Sequence, residues 1–254
     1  MTKTSVKKMG AKIFSMFCLL LCFALSISLA DLFSSLITTN AFSANTNLVK
    51  TSNFDLYAIC LYSTITENQA KDLASSSRQK NCAGYVYEQN SQYLVLASAY
   101  ENKADAEKVQ ENLKSSNTTC SIITINLPKI EFSVSVSGNE KTALENAVCV
   151  YKNMYKKLYD LSVSVDTNLS SETESKISLS NIISEFAKVK ANYDALFNSK
   201  ITSELLELKL SLMNVENILT DLSNFSGNLV PYSSEIKHSY FEIINEQIKL
   251  SAKI

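Results

Sequence analysis

The sequence predicts an α+β protein in which one transmembrane helix precedes a four-stranded antiparallel sheet domain, and an all-α antiparallel helical bundle follows it. Three observations predict this: an uncharged apolar run near the N-terminus, a strand and helix pattern that occurs twice, and apolar repeats at helical spacing after residue 139. The chain has only four Gly and two Pro in 254 residues, which favours long helices over a turn-rich sandwich.

The N-terminal residues predict a membrane segment. Residues 1–12 contain several lysines, and residues 13–30 contain no charge, which is close to the length that a spanning helix needs. The positive flank predicts a cytoplasmic tail at 1–12 and an extracytoplasmic location for the rest. An uncleaved anchor over 13–37 and a signal peptide cut after Ser28 and Ala30 both fit, and both place the bulk of the chain outside the cytoplasm.

The segment 54–127, between linkers at 38–53 and 128–138, predicts a compact α/β domain. The expected elements are a strand at 56–63, a helix at 66–80, paired strands at 82–89 and 92–100 around Asn90 and Ser91, a helix at 103–115 and a strand at 120–127. A capping box of Thr66 with Gln69 and a cap at Asn102 mark the helix starts. The order βαββαβ is the ferredoxin-like arrangement, with both helices on one face of the sheet.

The repeat within this domain resembles a known family. "YLVLASAYENKADAEKVQENL" at 93–113 has a strand ending in a small residue and an aromatic, a short polar stretch and an Ala-led helix, and "YAICLYS" and "ENQAKDLA" repeat this pattern upstream. About residues 54–127 therefore resemble the SPOR (sporulation-related repeat) domain. The resemblance implies binding of peptidoglycan glycan strands on the uncovered sheet face, in cell division or sporulation.

Strand alternation identifies the residues of that open face. Ile59, Leu61, Val95 and Ala97 should point toward the helices. The opposite side then carries five candidate glycan-binding residues, and Tyr100 is added to them as a second aromatic. The candidates are Cys60, Tyr62, Leu94, Leu96, Ser98 and Tyr100. Family members usually have Gln and Gly where this chain has Cys60 and Tyr62, and Arg and Gly where it has Leu94 and Ser98.

This face is less polar than an ordinary sugar-binding surface, so two interpretations stay open. In one, Tyr62 and Tyr100 stack on sugar rings with help from Ser98. In the other, another part of the chain or a partner buries the apolar face.

Residues 139–254 predict about four helices. Their apolar positions recur at intervals of three and four, as in Leu144, Val148, Tyr151, Tyr155, Leu158; Leu179, Ile182, Phe186, Val189, Tyr193, Leu196; Leu205, Leu208, Leu212, Val215, Leu219, Leu222; and Ile236, Tyr240, Ile243, Leu250. Ser171 and Glu174 have capping-box spacing, and residues 198–200 and 227–231 break the pattern. An internal bundle and an intermolecular coiled coil both fit these repeats.

The four cysteines after the apolar run leave their redox state open. Cys60, Cys82, Cys120 and Cys149 are an even number in a compartment that permits disulfides, but a domain of this size needs none. No CxxC pair occurs, so a structural zinc site is not expected.

The composition argues against catalysis and against nucleic-acid binding. Lys+Arg at 24 and Asp+Glu at 25 give a net charge of -1, which offers nucleic acid no general attraction. His238 is the only histidine, and no phosphate-binding Gly-rich loop is present. The pairs Glu204/Glu207 and Glu242/Glu246 have the spacing of solvated helix surfaces. We therefore expect no enzyme activity, no metal and no cofactor.

The sequence thus predicts a single-pass cell-membrane protein that binds peptidoglycan glycan strands through its SPOR-like domain. The alternative is an envelope scaffold that binds another envelope protein through the bundle or the apolar sheet face, without glycan binding.

Overall fold

The computed structural model describes residues 46–254, apart from residue 201 and residues 228–229. Residues 46–134 and 140–254 belong to one compact unit, and the contacts between elements discussed below lie within it. The predicted segment at 13–37 lies outside the described residues. Among the residues that are described, no helix is both long enough and apolar enough to cross a membrane.

The predicted α+β class and the four-stranded antiparallel sheet are confirmed. The described strands are β1 (Thr46–Lys50), β2 (Phe54–Thr64), β3 (Tyr85–Gln89), β4 (Gln92–Tyr100), β5 (Ser121–Leu127) and β6 (Glu131–Ser135). The described helices are α1 (Glu67–Arg78), α2 (Lys103–Ser115), α3 (Gly138–Asp166), α4 (Glu172–Phe197), α5 (Ser203–Ser223) and α6 (Tyr232–Ser251).

The four-stranded sheet has the strand order β3-β4-β2-β5, and every neighbouring pair is antiparallel. Strands β2 and β4, which begin the two copies of the repeat, are the central pair, and each is followed in the chain by a helix. This is the strand order that two interleaved βαβ units produce. Strands β3 and β5 form the edges.

A tight hairpin connects β3 to β4. Asn90 and Ser91, the predicted turn residues, have φ angles of 51° and 60°. Two consecutive positive φ angles are typical of the type I′ turn, whose twist matches that of the strands it joins. The turn therefore fixes the register that pairs Gln89 with Gln92 and Tyr85 with Leu96.

Two of the three predicted helix caps form as expected. Asn102 Oδ1 accepts a hydrogen bond from the Ala104 N–H at 3.0 Å, and Ser171 with Glu174 makes a complete capping box. Thr66 is also an N-cap, but its side chain makes no capping bond. The predicted box with Gln69 is therefore wrong.

Helices α1 and α2 cover one face of the sheet through small side chains. Ala70 and Ala74 of α1 pack against Val95, and Ala106 of α2 packs against Ile59. Alanine lets a helix backbone approach the sheet closely, so this side of the core is thin and apolar.

A second, two-stranded sheet pairs β1 with β6. Just beyond it, the Thr51 N–H donates to Ile130 O at 2.9 Å, and the Lys129 N–H donates to Asn53 Oδ1 at 2.7 Å. Both strands lie in ranges that the sequence assigned to linkers, 38–53 and 128–138.

Four helices, α3 to α6, follow the sheet, as predicted. The repeated apolar residues are mostly buried inside the chain, although Phe197 takes the buried position expected for Leu196. Two tyrosine hydroxyls join neighbouring helices: Tyr151 donates to Ser211 Oγ at 2.8 Å, and Tyr193 donates to Leu205 O at 2.7 Å. Burial of these repeats within one chain favours internal packing over an intermolecular coiled coil.

Candidate functional site

Three of the six candidate binding residues lie together on the sheet face opposite α1 and α2. The exposed fraction is 4% for Cys60, 7% for Leu94 and 0% for Leu96. Cys60 and Leu96 are direct register partners on β2 and β4, and Leu96 also pairs with Tyr85 on β3. The face therefore exists as predicted, but its centre is closed to solvent.

The other three candidates depart from the predicted alternation. Register shifts between β2 and β4 pair Ser98 with Ile59, and Tyr62 with Val95. Ile59 and Val95 both pack toward α1 and α2, and cross-strand partners share a face. Ser98 Oγ donates to the Tyr100 hydroxyl at 3.0 Å.

Tyr100 follows Ser98 to the same side. Its ring packs with the cluster of Ile59, Ala97 and Ala106, under α2. The structure therefore does not bring Tyr62, Ser98 and Tyr100 together with Leu94 and Leu96.

Aromatic side chains from the C-terminal helices cover the closed face. The Tyr85 ring of β3 stacks on Phe241 of α6, with a centroid distance of 5.2 Å and an interplanar angle of 13°. Tyr155 of α3 and Tyr240 of α6 meet edge to face at 5.3 Å. Tyr85 is the register partner of Leu96, so its stack with Phe241 lies beside Leu96. The face is therefore covered by helices of the same chain.

Two tyrosine hydroxyls satisfy the backbone of Ala99. The Ala99 N–H donates to the Tyr240 hydroxyl at 3.0 Å, and the Tyr155 hydroxyl donates to Ala99 O at 3.1 Å. The ladder between β3 and β4 ends at the pair of Tyr85 with Leu96, so no β3 residue pairs with Ala99. Because Ala99 is fully buried, its backbone groups need partners, and the two helices supply them.

The first turns of α6 bind the end of α1 and the loop between α1 and β3. Ser234 Oγ donates to Arg78 O at 2.7 Å, Lys237 Nζ donates to Asn81 O at 2.7 Å, and His238 Nδ1 lies 3.0 Å from Ala83 O. We call this set of three contacts the carbonyl latch. It fixes α6 against the sheet domain by directional bonds to the end of α1 and to two points of the loop that follows.

Ion pairs accompany the carbonyl latch. Lys237 Nζ also lies 2.5 Å from Asp166 Oδ2, and Arg78 pairs with Glu235. Lys237 is only 7% exposed, and a buried charge needs compensating partners. Asp166 and the Asn81 carbonyl provide them. These pairs join the end of α3, the end of α1 and the start of α6.

Burial sets the protonation of the groups at this interface. Burial lowers the pKa of His238, and the nearby Arg78 guanidinium lowers it further. A neutral His238 can keep a proton on Nδ1 and donate it to Ala83 O. Burial also raises the pKa of Tyr155 and of Tyr240, which keeps both hydroxyls protonated.

Tyr62 is the one candidate that is exposed, with 42% of its surface accessible. It lines a surface groove of about 600 Å³ whose other walls are mainly neutral and polar, including Gln69, Asn117, Thr118 and Thr119. An aromatic ring beside amides and hydroxyls is a combination that can contact a sugar.

A short row of apolar side chains is exposed on α5. Leu206, Leu210 and Met213, one and two turns apart, are exposed to 40%, 44% and 43%. The opposite side of the same helix is buried against its neighbours, through residues such as Leu208 and Leu212. The row is therefore a second apolar side of α5.

The candidate metal ligands and carboxylate pairs of the described residues are dispersed or engaged in other contacts. Within them no cluster of three His, Cys, Asp or Glu side chains could hold a metal ion, and Cys60, Cys82, Cys120 and Cys149 are free thiols. Of the carboxylate pairs, Glu207 binds Lys253, and Glu246 binds both Asn214 and Lys249. These side chains act in surface and helix–helix contacts.

Sequence reasoning allowed another part of the chain to bury this face, but it did not identify Tyr155, Tyr240 and Phe241 as the residues that do so. Tyr155 and Tyr240 were assigned to the helix–helix repeats, whereas their hydroxyls contact Ala99. The signal that pointed to them was the apolar character of Leu94 and Leu96, which predicted that something buries this face.

A scan against protein-family models, a search of the curated proteins and a search of the solved structures each found no significant match for this chain.

Proposed function

We propose that this chain is a non-catalytic interaction module of the cell envelope, in which the sheet face holds the chain's own helices rather than a glycan. The observation that supports this most is the pairing of Ala99 with Tyr240 and Tyr155. A glycan that occupied the face would have to displace both hydroxyls and the stack of Phe241 on Tyr85. That would leave a buried backbone N–H and C=O without their partners, which is costly.

The partner surface in this proposal is the exposed row on α5. Leu206, Leu210 and Met213 are spaced as an amphipathic helix presents contacts to a partner helix or groove. The partner is another envelope protein with a complementary apolar surface.

The proposed location is the cell membrane, with the bulk of the chain outside the cytoplasm. It rests on the sequence of residues 1–37, where lysines precede an uncharged apolar run. Cysteine accessibility in intact cells tests it, because Cys149 is exposed. Labelling of Cys149 by a membrane-impermeant maleimide supports the orientation, and labelling only after lysis contradicts it.

The decisive experiment mixes the full chain, in detergent, with purified sacculi whose stem peptides an amidase has removed. We expect the chain to stay in the supernatant, because the sheet face on which the resemblance implies glycan binding is closed. Saturable cosedimentation would overturn the proposal that the chain works without glycan.

A matched pair of variants tests the partner surface. Leu210→Lys puts a charge into the exposed row, whereas Asn217→Lys puts the same charge on an exposed polar position of the same helix. In cells, we expect Leu210→Lys to lose the crosslinked complexes of the wild-type chain and Asn217→Lys to keep them. Equal crosslinking of both variants would exclude the α5 row as the contact.

A second candidate function is glycan binding at Tyr62, and the exposure of Tyr62 beside neutral polar side chains favours it. Here the SPOR-like domain binds peptidoglycan glycan strands beside the closed face rather than on it. In the sacculus experiment this candidate predicts cosedimentation that Tyr62→Ala abolishes and Tyr62→Phe retains, since a phenyl ring can still stack. Binding that Tyr62→Ala leaves intact would exclude this groove.

A further inference from the structure

Strand β5 is an open edge of the four-stranded sheet. In the order β3-β4-β2-β5 it has β2 on one side, and in the part of the chain described here no strand pairs with its other side. In an antiparallel pair a strand directs only alternate backbone groups to its partner. The remaining N–H and C=O groups of β5 therefore point outward, where they can pair with another strand.

The edge lacks the features that usually prevent strand addition. Residues Ser121–Leu127, with the sequence SIITINL, carry no charge and no proline. Charged side chains, proline, bulges and short length are the ordinary protections of an edge. The register between β2 and β5 runs without a shift from Phe54–Leu127 to Cys60–Ser121, whereas the pairing of β2 with β4 contains two shifts.

The opposite edge is shorter and carries a charge, although its register with β4 also runs without a shift. Strand β3 has five residues and carries Glu88. Next to its start, the carbonyl latch fixes Arg78, Asn81 and Ala83 to α6. Only β5 therefore combines a regular register, an uncharged sequence and an open side among the edges of this sheet.

The chemistry of β5 indicates what can pair with it. Its exposed side chains, Ser121, Thr124 and Asn126, are small, neutral and polar. A partner strand with charges would gain no compensating charge here and would lose solvation. A second copy of β5 meets the requirement, because a twofold antiparallel pairing places neutral side chains opposite each other and matches every outward N–H with a C=O.

We propose that two copies of this chain pair through β5 in antiparallel orientation about a twofold axis at Thr124, so that their sheets join into one. Thr124 is the middle residue of Ser121–Leu127 and is solvent exposed. In the pair it lies opposite its own copy, where the two Cα atoms are roughly 4.5–5.5 Å apart. The strand Ser121–Leu127 includes none of the residues named for the α5 row or for the Tyr62 groove.

A charge exchange at Thr124 tests the proposal on the full chain in detergent micelles, by sedimentation equilibrium over a range of concentrations. We expect the wild-type chain to dimerise reversibly and Thr124→Lys and Thr124→Glu each to weaken the dimer by roughly two- to fivefold, because like charges then face each other. An equimolar mixture of the two variants should recover the dimer as a heterodimer. Thr220→Lys, a matched change at an exposed threonine of α5, should dimerise as the wild type does.

The exposed position of Thr124 keeps the test separate from misfolding, and circular dichroism with the urea midpoint of each variant verifies this. A monomeric wild-type chain at all concentrations would overturn the proposal. So would dimers of Thr124→Lys that are as stable as those of the wild type, since they would have to form through another surface. Failure of the mixed variants to form heterodimers would place the axis away from Thr124.

Discussion

The two faces of the sheet are covered in physically different ways. On one face α1 and α2 pack through Ala70, Ala74 and Ala106, and the contact is apolar. On the other face α3 and α6 pack through aromatic rings, with hydroxyl bonds to the backbone of Ala99. Packing on the first face depends on the close approach of the helix backbones to the sheet. Packing on the second face depends also on the direction of hydrogen bonds.

This difference shows how the second face of the sheet is held closed. A hydroxyl that bonds a single buried N–H adds a directional constraint on the position of the helix to the constraint of close packing. The carbonyl latch adds further fixed points at Arg78, Asn81 and Ala83. Helix α6 is therefore docked on the sheet at one specific position and is not a loosely attached cover.

The largest expected effect on stability comes from removing an aromatic ring on the face that α3 and α6 cover. Tyr240→Ala should lower the free energy of unfolding by about 3–5 kcal/mol, because it deletes a fully buried aromatic side chain. Tyr62→Ala, at an exposed tyrosine of the same sheet, should change it by less than about 0.5 kcal/mol. Urea denaturation measures both, and equal losses would mean that α6 does not stabilise the sheet.

Overpacking the apolar face should have the next largest effect. Ala106→Leu places a larger side chain where α2 meets Ile59, and we expect a loss of about 1–3 kcal/mol. Glu107→Leu introduces the same residue at the neighbouring exposed position and should change stability by less than about 0.5 kcal/mol. If Ala106→Leu were tolerated as well as Glu107→Leu, the packing of this face would not depend on the close approach of α2 to the sheet.

Removing single tyrosine hydroxyls tests the hydrogen bonds to Ala99 without removing an aromatic ring. Tyr240→Phe and Tyr155→Phe should each cost about 1–3 kcal/mol, since each leaves a buried backbone group of Ala99 unpaired. Hydrogen exchange gives the specific readout for the first variant. In Tyr240→Phe the Ala99 amide should exchange faster while the Val95 amide stays protected, and unchanged exchange at Ala99 would contradict the assigned bond.

The smallest expected effect is a pH dependence from His238. Because burial lowers the pKa of His238 in the folded chain, the unfolded chain binds a proton that the folded chain does not. Its contribution to stability is therefore complete above about pH 6.5 and is lost as the pH falls below that value toward the folded pKa.

The Asn variant isolates this contribution. His238→Asn keeps a neutral donor for Ala83 O but cannot titrate. Its unfolding free energy should fall less than that of the wild type between pH 7.5 and pH 5.5. Identical pH profiles from urea denaturation would show that His238 does not titrate at the latch.

Much of the sheet domain could be predicted because its signals are local. The repeat that matches Tyr57 with Tyr93 predicted the two strand–helix units, and the side chain of Asn102 marked the start of α2. Periodicity after residue 139 predicted the four C-terminal helices. Each of these rests on residues that are neighbours in the chain or on one element.

The candidate site could be predicted only in part, because its decisive features are not local. Alternation correctly placed Cys60, Leu94 and Leu96 on one face, but it could not reveal the register shifts that moved Tyr62 and Ser98. A bulge depends on how two strands meet, so neither strand shows it alone. The hydroxyl of Tyr240 likewise gives no sign in the sequence that its partner is Ala99.

The order in which the chain is synthesised gives Leu96 and Ala99 a further significance. The last strand of the sheet ends at Leu127, but α6, which covers them, ends at Ser251. At ribosomal rates of roughly 5–20 residues per second, that interval lasts roughly 6–25 s. During this time the completed sheet exposes an apolar face that will later be sealed. Exposed apolar surface of this kind makes a nascent chain prone to aggregation until its final helix is made.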